Sequence, residues 1–368
     1  MSKVKLGEIA VLKTGPFGTQ FKASEYVETG VPVINVKNIG YGNLNYDGLE
    51  HITEQTRDRL SEHILKSGDI VFGRKGSVDR HCLITAQEEG WFQGSDCLRV
   101  RITDKGVNPE YVSYYLLSSH ILKTINHAAV GSTMPSINMD IIADISIILP
   151  DYDKQCEIAR TLRILGDKIK NNNAINDNLS AMAYDVYMHT FFKKKPSGKI
   201  ADLLMENEKS KVQVGEAKTS NGDYPFFTSG KAILSWDYPF VEDRNCFLNT
   251  GGNADVKFYV GKAAYSTDTW CITGKDNMAD YLYLLLKSIK PELDQKFFQG
   301  TGLKHLQKPL LKDRPIYIPT EQELNSFNKQ IQPMFNIISE NTRENQHLSA
   351  LRDWLLPMLM NGQASISE

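Results

Sequence analysis

Residues 131–150, GSTMPSINMDIIADISIILP, return at 300–319 as GTGLKHLQKPLLKDRPIYIP, an offset of 169 that aligns Gly131 with Gly300, Asp144 with Asp313, Ile147 with Ile316 and Pro150 with Pro319. The register continues without a gap, so that NNAINDNLSA lies against NTRENQHLSA. Apolar positions repeat with it: Ile158, Leu162, Leu165, Ile169, Leu179 and Val186 become Phe327, Ile331, Met334, Ile338, Leu348 and Leu355. Steps of four and three are the seam of a helix packed along a partner. A chain written twice in this way is confined to two related modules, each followed by a long helix. The expected fold class is α+β, with two globular β-rich modules separated by two long antiparallel helices and a pseudo-two-fold internal repeat.

The seam is interrupted in both copies. Asn172 and Asn176 fall where the spacing asks for apolar residues, and they align with Asn341 and Asn345. An antiparallel pair with its midpoint near residue 174 sets Asn172 against Asn345 and Asn176 against Asn341. Amides meeting across an apolar seam cost stability but fix register, because a slip leaves them unbonded. A helix of about 38 residues is roughly 57 Å long, which suits a spacer. Pro333 lies inside the second helical pattern and is expected to bend or break it, while Pro357 marks a fraying end.

Upstream, NPEYVSYYLLSS (108–119) and NMADYLYLLLKS (277–288) both read as short helices. TGVPVINVKN (29–38) and NGDYPFFTSG (221–230) both read as a glycine turn feeding a strand. The apolar block IIADISIIL (141–149) reads as a buried strand, and KKKPSG (193–198) as the linker that ends the first helix. The composition is globular, 41% hydrophobic and 23% charged, with a net charge of −2. No apolar run approaches the length of a membrane span or a secretory core. Cys82, Cys97, Cys156, Cys246 and Cys271 form no CxxC pair and no metal-ligand spacing, a pattern of reduced cytoplasmic thiols. Bulk charge supplies no nucleic-acid affinity here, so such a role needs a local basic face or a basic partner.

The sequence resembles the specificity (S) subunit of a type I restriction–modification system. The resemblance rests on LGEIAVLKTGPFGTQFKASEY, GVPVINVKNI, LKSGDIVFGRKGSV and ISIILPDYDKQCEIARTLRILGDKIKNNNAINDNL in the first half, and on YIPTEQELNSFNKQIQPMF and LSALRDWLLPMLMNGQ in the second. It implies target recognition domains at 1–150 and 194–318, a first spacer helix at 151–193, and a second spacer helix with the C-terminal tail at 319–368. Each recognition domain would read one half of a bipartite double-stranded DNA target. The helices would set the spacing and dock two methyltransferase (M) subunits, with translocase–nuclease (R) subunits joining in restriction. The subunit itself would be cytoplasmic, non-catalytic and without cofactor or metal. The second half departs from the pattern, with RNCFLNTGGNADVKF (244–258) where GDIVFGRKGS would recur, so the two half-sites are expected to differ.

Sequence-specific contact needs Arg, Lys, Asn, Gln and Thr side chains on exposed turns. In the first module the candidates are Lys13, Thr14, Thr19, Gln20 and Lys22 on a Gly-Pro loop, Lys37 and Asn38 at a strand end, and Arg74, Lys75, Ser77, Arg80 and His81 on a basic glycine turn. The loop GSTMPSIN (131–138) fits either a phosphate contact or helix capping. In the second module they are Lys231, Asn249, Asn253, Lys257, Thr301, Lys304 and His305. Trp236, Tyr265 and Trp270 read as core, and His127, His189 and His347 as surface.

Two other readings fit parts of the pattern. NPEY at 108–111 is one residue from the Asn-Pro-Pro-Tyr/Phe signature of adenine methyltransferases, but Asn108 and Pro109 also make a helix N-cap and first turn, and no glycine-rich turn suited to S-adenosylmethionine accompanies them. No phosphate-binding GxxxxGK[ST] loop is present. A non-DNA adaptor, with two binding modules on a coiled-coil spacer, is the remaining alternative.

Overall fold

A computed structural model describes residues 2–131 and 135–363. The chain divides into two compact units, one gathering Met1–Asp167 with Leu348–Glu368 and the other comprising Lys168–His347. No helix among the described residues is long and apolar enough to cross a membrane.

In the first unit a sheet runs in the order Ala10–Thr14, Cys97–Ile102, Ile70–Gly73, His81–Leu83, Tyr41–Gly42. In the second unit Leu204–Glu206, Thr269–Gly274, Arg244–Asn249 and Val256–Val260 repeat the first four places of that order. A companion sheet follows in each. Val31–Ile34 pairs in parallel with Phe92–Gln93, as Tyr224–Phe227 pairs with Ala264–Tyr265. A two-stranded ladder closes each unit, Ser2–Lys5 with Ser146–Leu149 and Gly198–Lys199 with Pro315–Ile316.

Side-chain bonds repeat too. Tyr111 Oη donates to the Ile148 carbonyl, and Tyr281 Oη to that of Tyr317, which lies 169 residues further on. Lys5 pairs with Asp144 at 2.8 Å and Lys199 with Asp313 at 3.0 Å.

The central strands read as unbroken apolar runs because both their faces are covered. Ile70 and Phe72 pack beneath Tyr111 and Tyr115 of the helix Pro109–Leu116, while Val71 faces Ile34, Cys82 and Cys97. In the second unit Cys246 and Leu248 lie under Tyr281 and Leu285, and Phe247 stacks on Phe227 with ring centroids 4.1 Å apart. Truncating one of the larger of these buried side chains, Ile70, Phe72, Phe247 or Leu248, to alanine is expected to cost about 2–5 kcal/mol.

The block 141–149 is not one strand. Asn138 Oδ1 accepts the Ile141 N–H at 2.9 Å and starts a helix, Met139–Ala143, leaving only Ser146–Leu149 extended. Capping chemistry overrides the apolar run.

The long helices are Tyr152–Thr190 and Glu321–Met360. The second runs unbroken through Pro333, contrary to the expected break. The residue is exposed, so the carbonyl of exposed Lys329 that loses its intrahelical partner meets water. Pro357 likewise lies inside the helix, whose end it does not set. Each unit takes part of each helix. Ile158, Ala159 and Leu162 join Leu356, Leu359 and Met360 in the first unit's core. Ala183, Tyr187, Phe327, Ile331 and Phe335 do so in the second.

Within the second unit the helices run antiparallel and meet through amides. Asn172 is buried, and its Nδ2 donates to Asn345 Oδ1 at 2.9 Å and to Glu344 Oε2 at 2.6 Å. Asn341 Nδ2 donates to Asn176 Oδ1 at 2.9 Å, and Asn345 Nδ2 to Asn173 Oδ1 at 2.9 Å. The Asn172 bond, then Lys168 at 3.2 Å, holds the Glu344 carboxyl below its usual range. Asn173 and Glu344 lie one residue off the apolar seam, which is why the spacing did not single them out.

Replacing Asn172 alone with leucine leaves Asn345 Oδ1 without its donor and Glu344 with Lys168 only, and is expected to cost about 1–3 kcal/mol. Replacing Asn172 and Asn345 together should recover much of that loss. Urea midpoints of the three chains check the order, with the single variant lowest.

Candidate nucleic-acid interface

The basic glycine turn of the first unit leaves the central strand at Gly73. Gly76 takes φ +78, a left-handed conformation that glycine adopts without strain and that lets the chain reverse. The turn is held by its backbone. Arg74 N–H donates to the Asp96 carbonyl at 2.8 Å, Ile137 N–H to the Arg74 carbonyl at 3.0 Å, and Gly76 N–H to the Pro135 carbonyl at 2.9 Å. With the backbone satisfied, the side chains are left outward. Arg74 is half-buried, and Lys75 and Ser77 are exposed. Lys75 Nζ lies 3.0 Å from Asp96 Oδ1. Thr14, Arg74, Lys75 and Asn138 line a groove of about 520 Å³ beside this turn. Of the loop GSTMPSIN, residues 132–134 lie outside the described residues.

The other first-unit candidates fall into two groups. Thr19, Gln20, Lys22 and Arg80 are exposed, with the Arg80 guanidinium 5.4 Å from the Tyr41 ring centre. Lys13 is half-buried against Glu62, and exposed Lys37 stands 3.4 Å from Glu50. Asn38 and His81 present no surface. Asn38 Nδ2 bonds the Asn45 and Asp47 carbonyls at 3.1 and 3.2 Å, and its Oδ1 accepts the Asn35 N–H at 3.1 Å. His81 is fully buried, with Nε2 at 3.0 Å from Ser113 Oγ and 3.1 Å from the Ser113 carbonyl. Burial pushes its imidazole down to about 4, against a smaller opposing effect of the Ser113 carbonyl.

In the second unit Asn249 is likewise internal. Its Nδ2 donates to the Gly251 carbonyl at 2.7 Å and its Oδ1 accepts the Asp255 N–H at 2.7 Å. Lys257 is half-buried and donates to the carbonyls of Thr228 and Gly230, tethering that turn, and burial lowers its ammonium pKa. Lys231, Asn253, Thr301, Lys304 and His305 are exposed.

The structure brings the 249–253 turn against the 300–306 loop. Gly252 N–H donates to the Lys304 carbonyl at 2.9 Å and Leu306 N–H to the Thr250 carbonyl at 3.0 Å. Thr250, inside the candidate stretch NTGGNADVK, and Asp268 carry this arrangement through backbone bonds that residue type does not reveal. Lys308 and Lys312 are further cations, but they sit over the Trp270 ring at 4.7 and 6.0 Å. Each unit thus offers exposed cations and hydroxyls on turns fixed by backbone bonds, an arrangement able to meet phosphates and base edges.

A family profile described as "Type I restriction modification DNA specificity domain" matches residues 1–181 and again 193–350. The type I restriction enzyme MjaIX specificity subunit of Methanocaldococcus jannaschii is 22% identical, over 100% of this chain and 94% of that protein. The HindI specificity subunit of Haemophilus influenzae is 20% identical, over 81% of this chain and 87% of that protein. The crystal structure of the S subunit of a type I restriction–modification system from M. genitalium shares the fold, with a TM-score of 0.64 at 14% identity, covering 100% of this chain and 96% of that one.

The buried imidazole gives the first unit a pH dependence. His81 has its folded pKa depressed to about 4, below the roughly 6.5 of an unfolded histidine. Its contribution is therefore complete above about pH 6.5 and is lost as the pH falls toward about 4. Between pH 7 and about pH 4.5 the wild-type chain should lose about 2–3 kcal/mol more stability than a His81→Gln chain. Denaturation midpoints against pH check this difference in slope.

Proposed function

The chain belongs to the family of type I restriction–modification DNA specificity proteins, and from that premise we propose that it reads a bipartite double-stranded target, one half-site per unit. The observation that carries this reading is the repetition of one topology in two units, each presenting exposed cations on turns at the end of its central strands. A reader of two separated half-sites needs two similar surfaces, and their side chains must differ if the half-sites differ. Arg74, Lys75, Ser77 and Arg80 on one unit, and Lys231, Asn253, Thr301, Lys304 and His305 on the other, meet that need. Thr14, Thr19, Gln20, Lys22, Lys13 and Lys37 extend the first surface.

The long helices take the spacing role. Successive turns of a DNA helix recur about every 34–36 Å, so two readers serve one site only when their separation is fixed. The amide contacts between Asn172 and Asn345 and between Asn176 and Asn341 support that assignment, since a register shift would unpair them. Docking of two methyltransferase subunits, with translocase–nuclease subunits added for restriction, completes the proposal. This chain would then carry recognition, and its partners the chemistry. With a net charge of −2, it draws phosphate affinity from local cations and from those partners.

Mapping N6-methyladenine across the source genome, with the gene intact and deleted, tests the proposal. One bipartite motif with a fixed gap is expected to lose methylation on deletion. Persistence of every methylated motif, in cells that express the chain together with a methyltransferase, would favour a non-DNA adaptor instead.

A further inference from the structure

Each unit contains a short seam in which the turn after a central strand bonds to a glycine-led loop, and the two seams correspond bond for bond. Ile137 N–H to the Arg74 carbonyl matches Leu306 N–H to the Thr250 carbonyl, both 3.0 Å. Gly76 N–H to the Pro135 carbonyl matches Gly252 N–H to the Lys304 carbonyl, both 2.9 Å. Lys75 faces Ser136 as Gly251 faces His305. Arg74 N–H reaches the Asp96 carbonyl at 2.8 Å, and Thr250 N–H that of Asp268 at 3.0 Å. Gly76 and Gly252 share the left-handed conformation, with φ +78 and +81. The loop residues keep the offset of 169 between them, whereas the turns do not and share only the glycine among Arg74–Gly76 and Thr250–Gly252. NTGG is therefore the structural counterpart of GRKG.

Laid over one another in this way, the seams carry their basic side chains on opposite strands. The first has Arg74 and Lys75 on the turn, facing Pro135 and Ser136 on the loop. The second has Thr250 and Gly251 on the turn, facing Lys304 and His305 on the loop. Each facing pair holds one basic residue and one small one, Lys75 with Ser136 and His305 with Gly251. In the first unit Arg74, Lys75 and Ser136 line the groove of about 520 Å³, which is room for a phosphate, and in the second Gly251 sets no side chain against His305. The Lys75–Asp96 pair does not fill that role, since its side chains are 45% and 49% exposed and such pairs contribute little.

We propose that this seam is the DNA-contacting edge of both units, and that Arg74–Lys75 and Lys304–His305 make equivalent phosphate contacts to the two half-sites from opposite strands of it. The inference rests on the recognition function proposed above. It adds that the two units grip the duplex at the same place in their fold with charges of different origin.

The test uses the full chain assembled with its methyltransferase partners, on a duplex of about four helical turns, with binding titrated against salt. The wild-type assembly should show a steep fall of affinity with salt. R74Q/K75Q and K304Q/H305Q should each flatten the log–log slope, by about one for each phosphate no longer neutralised. Moving one charge across the seam should restore about one unit of that slope. Ser136→Lys would do so in the first background. Gly251→Lys would do so in the second, where an added Cβ meets nothing nearer than 3.6 Å. A lysine at exposed Gln87, beyond the far end of the hairpin formed by Ile70–Gly73 and His81–Leu83, should not restore the slope. A steep wild-type slope that neither double variant changes, or that only one changes, would overturn the equivalence while leaving DNA recognition intact. A wild-type assembly with no salt-dependent binding would instead remove the recognition function on which the inference stands.

Discussion

A buried amide must be given partners, and Asn172 takes its partners from the opposite helix. The cost of leaving a buried donor unbonded is of the same order as the burial of a whole apolar side chain. That is why two amide pairs can hold helices whose remaining contacts, such as Phe327 and Ile331 against Tyr187 and Ala183, are tolerant of sliding. Hydrophobic contact brings the helices together without choosing a register. The bonds of Asn172, Asn176, Asn341 and Asn345 choose one.

The same division of labour recurs at the turns. Backbone bonds fix the 73–76 and 249–252 turns against their loops. Buried polar side chains such as Asn249 and Asn38 hold the chain reversals from inside. The shape of the turns then rests on backbone bonds that any residue with an N–H can make. One scaffold carries Arg74 and Lys75 in one unit and Thr250 and Gly251 in the other, although Thr250 Oγ1 also bonds the Asp268 carbonyl at 3.0 Å. Recognition surfaces that must diverge are served by a fold whose shape does not depend on them.

Much of this was legible in the sequence. The constant offset from Gly131 to Gly300 exposed the repeat, and the four–three spacing exposed the helices, because both signals persist over many residues. Short-range readings fared less well where two local rules competed. Asn138 turned part of an apolar run into a helix, and exposure let the helix pass through Pro333 and Pro357. Residue type alone did not separate inside from outside at the turns. Asn38, His81 and Asn249 have the chemistry of base readers, yet all three are buried, with the Asn38 and Asn249 amides bonded to neighbouring backbone and His81 Nε2 to Ser113. The kinship of NTGG with GRKG lay in backbone bonds and a shared glycine conformation, which leave little trace in the letters.

Leu356, Leu359 and Met360 fill the core of the unit that begins at the chain's start. During synthesis domains generally form in the order in which they emerge. Here that order is inverted for part of the molecule. The second unit, Lys168–His347, is complete in the nascent chain before the first can be closed. Until then Ile158 and Leu162 lack the apolar neighbours that the last helical turns provide. The first unit is therefore closed after the second, and a chain that stopped before Leu356 would leave its core open.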